Sequence, residues 1–133
     1  MKKLIVLLFP FLASCAVVDA MLMTKFDPNE YLLISEIRVD ARNYAKECTN
    51  PILGQPNAVA MARKTELFSA YSEKLPHNVD GAKAAVSLNE MAQGLVKQYD
   101  AGNKVSPIFC KLKFEGIEHS ADVIQHVLGN RPR

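Results

Sequence analysis

From Ile34 to Cys48 apolar residues recur at Ile34, Ile37, Ala41, Tyr44 and Cys48, with mostly polar residues between them. Alternating steps of three and four trace one face of an α-helix. Asp27 precedes this run as an N-cap. Pro28 takes the first helical position, where its missing N–H costs nothing, and Glu30 stands where a capping box places its acid. Asn50-Pro51 stops the helix. After the breaker-rich NPILGQP, a second helix is expected from about Pro56 to Lys74, with the stripe Val59, Ala60, Leu67, Phe68 and Tyr71. Leu75-Pro76-His77-Asn78 ends it. Asp80 is the expected cap of a third helix, whose stripe is Ala85, Leu88, Ala92, Leu95 and Tyr99, with Gly102 placed to close it. Ser106-Pro107 repeats the cap-plus-proline signature. Cys110 to Phe114 alternates like a strand. The longer set Cys110, Phe114, Ile117, Ala121, Ile124 and Leu128 keeps helical spacing and decides for a fourth helix. Gly116 weakens that helix by about 1 kcal/mol relative to alanine. Gly129-Asn130 ends it, leaving Arg131-Pro132-Arg133 as a tail.

The N-terminal pattern is different. Lys2 and Lys3 precede an apolar run from Leu4 to Leu12, followed by the small residues Ala13 and Ser14. That is the layout of a secretory signal peptide over residues 1–14. The run is shorter than the roughly 20 apolar residues a membrane span needs. An anchor reading would extend it to Val18, but Pro10 and Asp19 interrupt it. Leu12-Ala13-Ser14-Cys15 also resembles the lipobox of bacterial lipoproteins. The resemblance implies that the Cys15 thiol is alkylated with diacylglycerol, the chain cut before it, and the new amine acylated. An ordinary signal peptide with a chance cysteine is the alternative. Two or more acyl chains anchor a protein stably. Position 16 is Ala rather than the Asp that resembles an inner-membrane retention signal, which implies the periplasmic face of an outer membrane.

Cleavage there leaves 119 of the 133 residues, one domain's worth. With Cys15 lipidated, Cys48 and Cys110 remain, and in an oxidising periplasm a disulfide between them is expected. Two buried free thiols are the alternative. The four helices with short connections predict an all-α, up-down-up-down four-helix bundle over residues 27–133. In such a bundle the end of helix 1 and the start of helix 4 share a pole, so a Cys48–Cys110 bridge agrees with the topology. Residues 15–26 form the lipidated cysteine and tether. Val17, Val18, Met21, Leu22 and Met23 make the tether apolar, suited to lying near the bilayer or packing on the bundle.

Charge excludes some partners. Of 16 basic residues, Lys2 and Lys3 leave with the signal, so 14 stand against 14 acidic ones. A near-neutral chain has no nucleic-acid footprint. His119 and His126 share a helix-4 face with Glu115 and Asp122, a spacing that metal ligands could use. A solvated polar face explains them equally well, and neither a metal nor a cofactor is expected. Glu115 with Glu118, and Asp19 with Asp27, read as surface charge. There is no nucleophile elbow, phosphate loop or CxxC. The chain therefore reads as a non-enzyme without a small-molecule substrate.

Binding of a protein is what remains. A groove between helices accepts the apolar face of a partner helix. The apolar residues off the stripes are Leu33, Val39, Met61, Val86, Met91, Val96 and Val123. Met61, Met91 and Val96 are the partner-binding candidates, methionine being adaptable at such surfaces. The alternative is that these residues widen the core. The lipobox LASC, the bundle, and cysteines in NYAKEC and SPIFC together resemble the helical pilotins of type II secretion systems. That resemblance implies a lipoprotein that binds a helical segment of an envelope partner. The chain also resembles small phage-encoded lipoproteins, through its ending from Lys111 to Arg133. Those act as outer-membrane spanins in host lysis or as receptor blockers against superinfection. A cell-envelope lipoprotein with no dedicated client is the third reading.

Overall fold

The computed structural model describes residues 23–133, so the signal peptide, Cys15 and tether residues 16–22 lie outside the described residues. The first helix, α1 (Pro28–Glu47), starts as its sequence signals require. The Asp27 backbone is extended, and its carboxylate accepts the Glu30 N–H at 2.8 Å. The helix buries Ile34, Ile37, Ala41 and Ala45, and Cys48 continues that face. Tyr44 is only half-buried. Its ring packs edge-on against Phe114 with centroids 5.6 Å apart.

α2 (Gly54–Lys74) begins two residues before the expected Pro56, which occupies the first turn, where no N–H is needed. Of its expected stripe Phe68 is buried, Val59, Ala60 and Tyr71 are half-buried, and Leu67 is 57% exposed; the buried face is Ala58, Met61, Ala62, Thr65, Phe68, Ser69 and Ser72. Small and hydroxyl-bearing residues make this face, so hydropathy alone points elsewhere. The Thr65 hydroxyl lies within hydrogen-bonding reach of the Met61 and Ala62 carbonyls, at 3.1 and 3.0 Å, which makes its burial tolerable. Gly54 is needed for close approach: a Cβ there would lie 2.3 Å from the Tyr99 hydroxyl.

α3 (Val79–Asp100) begins one residue before the expected Asp80 cap. Asn78 takes the cap position but its side chain makes no capping bond. Ala85, Leu88, Ala92 and Leu95 are buried as the spacing predicted. Gly102, with a positive φ of 71°, turns the chain after the helix. α4 (Pro107–Gly129) is capped by Ser106, whose hydroxyl accepts the Phe109 N–H at 3.1 Å. It runs as helix through Cys110–Phe114, so the strand alternative fails and the long-window periodicity wins.

The four helices form an antiparallel ring. α1 packs most extensively on α4 and α2 on α3. The α1–α2 and α3–α4 seams are thinner. The Cys48–Cys110 disulfide joins the end of α1 to the first turn of α4, with Cα atoms 5.8 Å apart. It closes 62 residues of sequence separation at the pole opposite the tether. In the chain-entropy account that closure contributes roughly 4 kcal/mol by constraining the unfolded chain. Replacing both cysteines (Cys48→Ala/Cys110→Ala) should retain helical circular dichroism in native buffer but lower unfolding stability by about 3–4 kcal/mol in a urea titration. A difference below about 1 kcal/mol would remove the bridge from its structural role.

Candidate functional site

At the tether pole a carboxylate is fully buried. Glu30 was expected to complete a capping box, but its side chain turns inward instead. One oxygen accepts from the Ser72 hydroxyl and from Asn78 Nδ2, both at 2.8 Å. The other accepts from Arg131 Nη1 at 2.6 Å. Arg131 Nη2 donates to Asn78 Oδ1, also at 2.6 Å, and Asn78 Nδ2 reaches the Ser72 carbonyl as well. This commitment explains why Asn78 does not cap α3. The pair is desolvated, with side chains 1% and 11% exposed for Glu30 and Arg131. Residues 131–133, read as a tail, are thus part of the structure. The Phe26 N–H donates to the Pro132 carbonyl at 2.8 Å, and the Arg133 guanidinium lies over the Phe26 ring. Every polar atom of Glu30 is partnered within the fold, so the network is a fastener and offers no vacant acid.

Beside it runs an apolar groove of about 550 Å³ along the α3–α4 seam. Val79 and Ala84 of α3 face Val123, Ile124 and Val127 of α4 across it, and Met23 with Thr24 closes its tether end. Val79, Val123 and Val127 are 65%, 51% and 57% exposed, an unusual density of open valines. Farther along the seam the Met91 side chain reaches α4: its Sδ lies 3.6 Å from the Ser120 hydroxyl, and its Cε would sit 3.6 Å from a Cβ built on Gly116.

The partner-binding candidates therefore separate. Met91 is open and lies on the seam. Met61 is wholly buried in the core and cannot touch a partner, which corrects that expectation. Val96 is half-buried and packs against the core, as does Leu33. Val39 and Val86 are exposed but do not line the groove, whereas Val123 does. Val79 and Val127 were missed. Val79 falls before the expected α3 cap, and Val127 sits beside the core residue Leu128.

Most of the remaining charged groups between the helices are paired, while Arg38 Nε is buried without a hydrogen-bond partner among the described residues. Arg38 pairs with Asp122 at 3.1 Å and Arg42 with Glu118 at 2.6 Å, both linking α1 to α4. Glu115 faces Lys111 at 3.7 Å on its own helix. A shallow depression of about 440 Å³ between α1 and α4 is lined by Arg38, Asp122, Gln125 and His126, and its one cation is already paired. Among the described residues no group of three or more His, Cys, Asp or Glu is placed to hold a metal ion. No described helix is long and apolar enough to cross a membrane. No protein family, curated protein or solved structure matches this chain.

On the opposite flank Lys64 of α2 bridges Asp40 and Glu36 of α1. Its hydrogen bond to Asp40 raises the lysine above its ordinary value. Burial, then the Asp40 charge, raises Tyr44, and burial raises Tyr99. All three groups hold their protons longer folded than unfolded. Their stability contribution is therefore present below their unfolded values and is lost as pH rises through the folded ones.

Two outcomes follow. With Cys15 blocked, the melting temperature should change little between about pH 7 and 9 and fall above about pH 10, and Lys64→Met should flatten part of that fall. A curve that falls equally in the variant would detach Lys64 from it. Separately, Glu30→Ala should cost about 3–5 kcal/mol in chemical denaturation, because Arg131 is left buried without its carboxylate. Glu30→Leu/Arg131→Met should recover part of that loss, and a double variant no better than Glu30→Ala would assign the cost to something other than charge burial.

Proposed function

We propose that this chain is a lipid-anchored, non-catalytic binding module of the bacterial envelope. In this reading Cys15 is acylated and holds the bundle at the periplasmic face of an outer membrane. The α3–α4 groove then receives the apolar face of a helical segment of an envelope partner. The groove is the observation that carries the reading. It is flanked by helices and mostly apolar, with Val79, Val123 and Val127 along it and His77, Asp80 and Arg131 also in its lining, a surface suited to the apolar row of an amphipathic segment. The Cys48–Cys110 bridge supports an oxidising compartment. The pattern from Lys2 to Cys15 supports export and acylation. Met91 supplies the adaptable end of the groove.

Anchoring and binding separate experimentally. Cys15→Ser should move the protein from the membrane pellet to the soluble fraction and abolish incorporation of radiolabelled palmitate. Continued membrane association of that variant would remove the lipid anchor. In detergent-solubilised envelopes, the acylated protein should retain one specific envelope protein. Val127→Glu, which alters an exposed side chain, should lose it while the helical spectrum and the disulfide persist. Equal capture by Val127→Glu would move the binding surface elsewhere.

A further inference from the structure

The α3–α4 groove is open along its length but closed at one end by the chain itself. Thr24 donates to the His77 carbonyl at 2.6 Å, which fixes the backbone against the α2–α3 turn. Met23, one residue earlier, is 55% exposed and already lines the groove. The residues immediately upstream are Ala16-Val17-Val18-Asp19-Ala20-Met21-Leu22, apolar at every position except Asp19. Seven residues span at most roughly 23–25 Å. The seam from Val127 to Gly116 on α4 measures about 16 Å at the helical rise. The upstream segment is therefore long enough to cover the groove. In an extended backbone Ala16, Val18, Ala20 and Leu22 share one face and Asp19 takes the other.

We propose that residues 16–22 dock into the α3–α4 groove of their own chain. The described chain delivers this segment at the groove mouth, and its uncharged face, Ala16, Val18, Ala20 and Leu22, matches the exposed valines. Docking buries Val79, Val123 and Val127 and leaves Asp19 in water. It also draws Cys15 along the bundle flank, so that an acylated chain lies with this seam toward the bilayer. That a partner helix must displace the segment rests on the binding reading above. Docking itself does not.

The test is photo-crosslinking in the full-length chain purified from envelopes, with a photoreactive residue replacing Val127 and, as control, the exposed Leu67 on α2. Position 127 should link to residues 16–22 of the same molecule, and position 67 should not. Val18→Asp/Leu22→Asp should reduce that link roughly tenfold by putting charge into an apolar site, with the helical spectrum and the disulfide unchanged. Links from position 127 to lipid, to a second copy or to nothing would overturn the proposal. Links to an envelope protein instead would overturn it too, yet leave the partner-binding reading standing.

Discussion

A carboxylate taken wholly out of water must be matched by charge and hydrogen bonds, or the fold that buries it fails. Glu30 is matched by three donors from three places: Ser72 at the end of α2, Asn78 in the turn to α3, and Arg131 beyond α4. No local sequence stretch supplies this set. It exists only when all four helices have converged on the tether pole. At the opposite pole the Cys48–Cys110 bridge fastens α1 to α4 again. The α1–α4 pair is thus closed at both ends, once by a covalent bond and once by a buried ion pair. Arg38–Asp122 and Arg42–Glu118 lie between. As exposed or half-exposed pairs these set register more than they add stability.

The legible parts of the fold are those encoded locally. Asp27-Pro28 and Ser106-Pro107 each put a side-chain acceptor before a proline, and α1 and α4 begin there. The α1, α3 and α4 stripes are aliphatic enough for periodicity to find. The α2 face is not, because Thr65 and Ser72 are buried by virtue of their partners rather than their hydropathy, and Ser69 is buried beside them. The same blindness hides Glu30 and Asn78. Each carries a local signature, one for a capping box and one for a helix stop, and each is engaged by a long-range bond. At the site, Met91 and Val123 were legible as apolar residues off a stripe. Met61 was legible in the same way and lies in the core, because phase errors in α2 turn core positions into apparent surface ones.

The asymmetry of the ring places the groove. Alanines at positions 41, 45, 58, 62, 85, 92 and 121 are all buried, and small side chains let helix axes approach closely. Contact is most extensive in the α1–α4 and α2–α3 pairs. Thr65 meets Asn89 at 3.0 Å and Gln55 meets Asp100 at 3.3 Å across α2–α3. Across α1–α2, Lys64 meets Asp40 and Asn57 meets Glu47. The α3–α4 seam has no ion pair among the described residues, and Ser120 with Met91 makes its one polar side-chain contact there.

A thin seam whose one polar side-chain contact is to a thioether is the one best able to exchange what covers it. Separating α1 from α4 would expose Glu30 without Arg131 and strain a covalent bridge, each a large loss against the 5–15 kcal/mol that typically holds a domain together. Covering or uncovering Val79, Val123 and Val127 changes only apolar surface, at about 25 cal/mol per Å². That term is graded, reversible and indifferent to which apolar segment supplies the cover. The rigid half of the bundle therefore makes the other half usable. Because α1, α4 and the C-terminal residues are locked at the tether pole, the α4 wall of the groove is held in place, and an apolar segment docking there would meet a surface it need not order.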